Sequence, residues 1–456
     1  MPTVYLPEVL FAEGALHRGR ALVVSDEGVV LPPSAATPDS KLVPLPGRLL
    51  TPGFVNGHSH AFQRAIRGRT EFLAPGHERD DFWSWREAMY AAAESLDPEQ
   101  LYAVSKQAFL EMALSGITTV GEFHYVHHQR DGRPYADEQL LARQVIRAAR
   151  DVGLRICLLR VGYARAGYMV EPNPRQKRFL DPDVETCLRR TTELAAAMKD
   201  DALVSVGLAP HSVRAVPRPW LEAIGQNWKG PLHMHVAEQP AELRACAAEH
   251  GKLPVELLDA VGLLSPRFTA VHAIHLERWE IDRLGQTQST ICACPSTERN
   301  LGDGIVEVDH LLAAGARISL GSDSQAHVDL FQEAQQLEGH LRLLRLKRNV
   351  LTPPTGSPDA LAARLLESMT VHGAASLGLS VGRLAEGEPA DFVTVDLAHP
   401  SVAGGDDAVL ARVVLGGGPP AVDSVYVAGR RIVEGGAHAQ AVETTRAFRD
   451  VVRALA

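Results

Sequence analysis

The sequence predicts an α/β protein: a (β/α)8 TIM-like barrel carrying a small β-sandwich domain assembled from the N- and C-terminal segments. Between Thr51 and about Leu379, eight apolar runs of strand length alternate with longer helical stretches. Their near-continuous hydrophobicity suits parallel strands covered on both faces. On either side of that region the texture changes to short strands broken by turns, as expected of one β unit built from both ends of the chain. The expected boundaries are 1–50 and 380–436 for the two parts of the sandwich, 51–379 for the barrel and 437–456 for a closing helix.

In chain order, the first fifty residues contain pieces such as ALVVSDEGVVLPP, which read as strands rather than helices. The first barrel strand lies in LLTPGFVNGHSH, and the loop Ala61 to Arg69 after it is placed to wrap a ligand. Seven more strands are expected within Ile117–His124, Arg155–Tyr163, Leu203–Ser212, Leu232–Glu238, Thr269–His275, Ser289–Pro295 and Arg317–Asp323. One crossover helix can be read in detail. Asp97 caps it, Pro98 takes its first position, Leu101, Val104, Ala108 and Met112 form its apolar stripe, and Gly116 ends it. After Leu379 come VGRLAEGEPADFVTVD and SVYVAGRRIVEGG, where Gly429 and the Gly435–Gly436 pair mark hairpin turns, and a helical piece from Glu443 to Ala456.

Hydrophobic content of 45% and charged content of 22% are ordinary globular values for a chain of 456 residues. A net charge of −9 argues against a nucleic-acid or anionic-membrane surface, which needs a clustered basic excess. No segment supplies about 18 charge-poor apolar residues, and Met1 to Arg20 lacks the order of a leader, so a cytoplasmic protein is expected. Five cysteines without a CxxC pattern suggest buried free thiols rather than a disulfide framework or a thiolate metal site.

In an α/β barrel the site lies at the carboxyl ends of the strands. There the sequence places His58 and His60 on strand one, His211 on strand four, His235 and Glu238 on strand five, His272 and His275 on strand six, and Asp323 on strand eight. His58 and His60 share a strand face, so both can grip one ion. Taken singly, each has a structural explanation: 19 histidines give about one chance His-x-His pair, His233-x-His235 is a second, and Asp323 could cap a helix. Together, five strand ends bearing such groups point to a metal centre. Three histidines and an aspartate form a nitrogen-rich, hard-to-borderline donor set suited to one Zn²⁺ per chain, with iron or another divalent ion fitting the same donors. Such an ion brings the pKa of water from about 15.7 toward 7. Glu238, spare as a ligand, is placed to carry a proton.

The stretches TPGFVNGHSH, HMHVAEQ, LGSDS and GRLAEGEPADFVTVD resemble the amidohydrolase superfamily across essentially the whole chain. Strand four ends in His211 rather than in the lysine that binuclear members carry, which is similar to the mononuclear deaminase branch. The resemblance implies His58, His60, His235 and Asp323 as zinc ligands, Glu238 as proton shuttle, His272 as the group orienting the attacking water, and Asp323 as acceptor of its proton. Three further stretches, HSHAFQRAIRGRTE with DDFWSWREAMY, GEFHYVHH and CPSTERNLGDG, resemble the formimidoylglutamate deiminase family of histidine breakdown. They lie in loops that choose the substrate. The implied substrate is a small acidic amidine, contacted by Gln63, Arg86, Tyr125, His211 and Arg214. Guanidinium forks suit a dicarboxylate. FWSWRE could instead be a lid or the contact of a homodimer, with Arg86 in a structural ion pair. The nearest alternative activity is deamination or dechlorination of an aromatic heterocycle; two arginines without an evident stacking slot favour the acyclic anion. A non-catalytic scaffold is a third reading, and it should have lost ligands that this chain keeps. Gln325 is a departure whose effect on the pocket the sequence leaves open.

Overall fold

The computed structural model describes residues 1–73, 80–171 and 173–455. The eight barrel strands are Phe54–Ser59, Ile117–His124, Arg155–Gly162, Val204–Pro210, Leu232–Val236, Phe268–His272, Thr290–Ala293 and Arg317–Leu320. They pair in sequence order, always parallel. The barrel closes where Ser59 bridges Asp323: the Asp323 N–H donates to the His58 carbonyl and the His60 N–H to the Asp323 carbonyl, both at 3.0 Å. Nearly every strand residue is buried, which is why these runs read as continuously apolar.

Besides strand three, which stops one residue short at Gly162, five strands end earlier than the apolar runs suggest. The expected segments reached Ser212, Glu238, His275, Pro295 and Asp323, whereas the ladders stop at Pro210, Val236, His272, Ala293 and Leu320. At the ends of strands five, six and eight the chain turns through left-handed backbone at Ala237 (φ 51°), His272 (φ 69°), Ala273 (φ 53°), Asp323 (φ 45°) and Gln325 (φ 63°). Such residues leave the ladder while remaining buried, so hydrophobicity alone does not mark the boundary. The segment expected as a loop from Ala61 contains a buried 3₁₀ turn, Ala61–Ile66. The crossover helix spans Pro98–Leu114, with Asp97 accepting from the Gln100 N–H at 2.8 Å in a reciprocal capping box and the expected stripe buried.

The terminal segments form one mixed eight-stranded sheet. Lys41–Pro52 pairs parallel with Thr3–Ala12 and antiparallel with Phe392–Asp396. Val422–Val427 and Arg430–Val433 make the hairpin expected at Gly429, with Ala428 (φ 46°) and Gly429 (φ 71°) both left-handed, as a tight two-residue turn requires. Tyr5, Leu50, Phe392 and Tyr426 build a separate small core, the last two rings stacked with centroids 4.2 Å apart. Their sequence neighbours Leu49, Val393 and Val425 face the other way and join the main core. Buried Arg155 on strand three donates to Asp391 at 3.0 Å, tying barrel to sheet.

Val409–Gly416 is a helix inside the segment read as strands and turns. Its buried Val409, Leu410, Val413 and Val414 follow helical spacing, but three of the four are β-branched, and that composition imitates a strand. The last helix is Ala441–Ala454; Ala456, the expected final residue, lies outside the described residues. Among the described residues no helix is long and apolar enough to cross a membrane. The five cysteines are free and buried.

Candidate metal centre and substrate cavity

Strand alternation aims His58 and His60 into the barrel mouth, strand five adds His235, and the turn after strand eight adds Asp323. Their donor atoms lie within 4.8 Å of one another. His58 Nε2 is 3.1 Å from His60 Nε2 and 3.2 Å from His235 Nε2, and Asp323 Oδ1 is 3.4 Å and 3.2 Å from His58 and His60 Nε2. His60 Nδ1 lies 3.0 Å from the Phe123 carbonyl and His235 Nδ1 3.1 Å from the His211 carbonyl. Each carbonyl needs an Nδ1–H, so both imidazoles turn an Nε2 lone pair inward. Burial pushes His58 down to about 3 and His235 well below its ordinary range, so these rings stay neutral. Lone pairs and a carboxylate oxygen thus converge on one point, an arrangement that one divalent cation satisfies and that hydrogen bonds among the four cannot. The donor set therefore fits a zinc-like ion. Gly321 permits the convergence: a Cβ there would stand 2.8 Å from the His58 Cβ.

His272 stands beside the cluster, its Nε2 3.6 Å from Glu238 Oε1 and 3.7 Å from Asp323 Oδ2. Its Nδ1 faces Glu298 Oε1 at 3.3 Å, and Glu298 also accepts from the Cys294 N–H at 2.8 Å. Burial opposes a charge on His272, but Glu238, Glu298 and Asp323 outweigh it and hold the imidazole well above its ordinary value. The buried Nε2 has no hydrogen-bond partner and lines the cavity. Glu238, 8% exposed, is raised by burial and by the Asp323 charge, against the pull of His272. A carboxyl in that state can both take and return a proton.

The cavity above is lined by His60, Gln63, Arg86, Tyr125, His211, Arg214, His235, Glu238, His272 and Asp323, together with a rim of apolar and aromatic side chains. Gln63 Nε2 donates to the Tyr125 hydroxyl at 3.0 Å. His211 packs on Tyr163, ring centroids 4.6 Å apart, and burial followed by the Arg214 charge keeps it well below its ordinary value. Buried guanidinium N–H groups of Arg86 and Arg214 lack hydrogen-bond partners, and among the described residues neither arginine forms an ion pair. What they have is the Trp83 ring, 4.4 Å from Arg86 Cζ and 5.7 Å from Arg214 Cζ, and Tyr90, 5.4 Å from Arg86 Cζ. Burial, and then the Arg214 charge, depresses the Arg86 guanidinium, a cost that an incoming anion removes. The expected structural ion pair for Arg86 is not formed with any described residue.

Several neighbours escape sequence reasoning. Glu298 meets His272 across a turn, and its only local signal is its place in the first helical turn after Pro295. The cavity also has walls from Phe82, Trp85, Tyr90, Tyr163 and Phe179, so a stacking surface exists after all, supplied by elements far apart in sequence. His233 lies deeper on the face of strand five, its Nε2 2.7 Å from the Ser376 carbonyl, and His275 Nε2 contacts the Asp303 carbonyl at 3.0 Å. Neither reaches the metal cluster.

The sequence profile of the Amidohydrolase family matches residues 49–432. Over 461 aligned residues covering all of both chains, the sequence is 36% identical to formimidoylglutamate deiminase of Pseudomonas aeruginosa. It is 30% identical to 8-oxoguanine deaminase of the same organism, over 94% of this chain and 93% of that one. Among solved structures, an amidohydrolase from Brucella melitensis superposes with a TM-score of 0.91 at 33% identity, covering 99% of each chain.

Proposed function

Because the chain belongs to the Amidohydrolase family and is a hydrolase acting on carbon–nitrogen bonds, we propose that it hydrolyses the formimino group of N-formimidoyl-L-glutamate, giving N-formyl-L-glutamate and ammonia. The observation that carries this reading is the pair Arg86 and Arg214, which line the cavity beside the metal cluster and, among the described residues, form no ion pair. A substrate with two carboxylates supplies what both lack. The whole-chain identity to formimidoylglutamate deiminase supports the same choice.

His58, His60, His235 and Asp323 hold the ion in this reading, with zinc the best match to the donors. Bound there, zinc makes water a nucleophile near neutral pH. Arg86 and Arg214 clamp the carboxylates, while Gln63, Tyr125 and His211 fix the amidine end over the cluster. As the C–O bond forms at the formimino carbon, His272 Nε2–H donates to the oxygen that gathers charge. Glu238 and Asp323 Oδ2 take the two water protons and pass them to the terminal nitrogen. The C–N bond breaks, and that nitrogen leaves as ammonia.

Aromatic walls and the identity to 8-oxoguanine deaminase favour a second reading, deamination of a heterocycle. Ammonia release from formimidoylglutamate, formimidoylaspartate, adenine and guanine, measured with metal content, separates the two. Turnover of a purine above that of formimidoylglutamate would reverse the choice.

A further inference from the structure

The seam between strands eight and one carries three of the four cluster residues and has the least backbone pairing in the barrel. Among the described residues, Ser59 and Asp323 form its one β-bridge. Side chains fill the place of a ladder. Gln325, fully buried, donates from Nε2 to Ser59 Oγ at 2.9 Å and to the Asp323 carbonyl at 3.1 Å, and its Oε1 accepts from Ser322 Oγ at 3.1 Å. Ser59 Oγ in turn donates a hydrogen bond to Glu122 Oε2 at 2.6 Å. On the other side, Asn56 Nδ2 donates to Ser322 Oγ at 2.7 Å, and Asn56 Oδ1 accepts from the Ser322 N–H at 3.0 Å. The directions are mutually consistent: each hydroxyl gives one hydrogen bond and accepts one, and the Gln325 amide has no spare group. A flipped amide would set Oε1 against the Asp323 carbonyl, so the orientation is determined.

We propose that Gln325 is a positioning residue that clamps this seam and sets the separation of His58 and His60 from Asp323 before an ion arrives; the inference rests on the metal reading above. The clamp reaches both sides of the site. Ser59 lies between His58 and His60 in the chain, and the Asp323 carbonyl belongs to the residue whose carboxylate faces them. Asp323 and Gln325 both sit in left-handed backbone, which persists only where surrounding bonds over-determine it. A saturated network does that, and a cluster already spaced for its ion gives up less freedom on binding it.

The test uses chelator-stripped full-length protein: zinc affinity by competition with a chromophoric chelator, and the visible spectrum after cobalt loading. Gln325→Met keeps length and volume while removing all three side-chain bonds. It should bind zinc about 10–100-fold more weakly and show a changed cobalt spectrum. Should that variant not fold, Ser322→Ala, which removes the link to Oε1, should shift both readouts in the same direction by less. Folded variants with unchanged zinc affinity and an unchanged cobalt spectrum overturn the clamp, including variants that lose only thermal stability, because packing alone would do that. Unmodified protein that takes up neither ion refutes the metal centre, and the clamp falls with it.

Discussion

The wall and the seam of this barrel are built by different means. Strands two, three and four run together in ladders, from Thr119 opposite Arg155 to His124 opposite Arg160, and from Ile156 opposite Val204 to Gly162 opposite Pro210. Strands eight and one meet in one bridge and a side-chain network. The wall holds Leu158, Leu159 and Val161, all fully buried, while the seam holds His58, His60 and Asp323. A continuing ladder keeps every residue extended. Where it stops, the backbone can turn left-handed, and that turn is what lets Asp323 aim its carboxylate at the histidines. Regular pairing thus marks the wall, and the candidate metal cluster sits where pairing gives way.

Substitutions in the two regions should therefore separate metal content, turnover and stability. The largest effect is expected at the metal cluster. The purified protein should hold about one equivalent of zinc or a similar ion, and His235→Ala should lose both the ion and turnover. Full activity in a metal-free preparation would break the contrast at its root. Next in size, Glu238→Gln should keep its ion and lose roughly 10²–10⁴-fold in kcat; ion loss with an unchanged rate per bound ion would make Glu238 a ligand instead. Arg86→Met and Arg214→Met should each lower kcat/KM for formimidoylglutamate by at least about thirtyfold, roughly 2 kcal/mol, with metal content unchanged. If a formimino compound lacking one carboxylate reacts as well with the unmodified protein, the arginines are not carboxylate clamps.

In the wall, Leu158→Ala should cost about 2–5 kcal/mol of stability in denaturant titrations, yet leave ion content and kcat per folded chain as they were. Loss of the ion in that variant would mean that wall and metal cluster are not separable. The smallest effect is electrostatic. Burial raises Glu333, on the helix Leu330–Arg345, to about 8. The folded state then keeps a proton that the unfolded chain releases near its ordinary 4.5, so this group's stabilising contribution is lost as pH rises from about 4.5 to about 8. Glu333→Gln should flatten that part of the stability profile relative to the unmodified protein, as read by denaturation at pH 5 and pH 8. An identical slope in both would remove Glu333 from the balance.

Much of the wall and the residues of the metal cluster could be read from the chain alone, because they depend on local order. Apolar runs announce strands, Asp97 with Pro98 announces a helix, and His-x-His places two rings on one face. What escaped depends on register between distant elements. Glu298 finds His272 only because the turn after strand seven folds back toward the sixth strand. His233 and His235 share a face and differ only in depth along the strand. Gln325 looked like a departure next to a ligand, and its part in the seam emerges only when Ser59 and Ser322 are brought beside it. The helix Val409–Gly416 was hidden by its β-branched residues, whose local preference tertiary packing overrides.

The central strand of the terminal sheet, Lys41–Pro52, leads almost directly into the first barrel strand, yet its antiparallel neighbour is Phe392–Asp396. During synthesis at about 5–20 residues per second, Thr51 waits tens of seconds before Val393 leaves the ribosome. Through that interval one edge of an apolar strand, including Leu49 and Leu50, has no β-partner, and it adjoins the very segment that carries His58 and His60. The newborn chain is therefore open to wrong strand pairing at that edge. Anything that shields that edge while the rest of the chain is made should raise the yield of native protein without touching the finished fold.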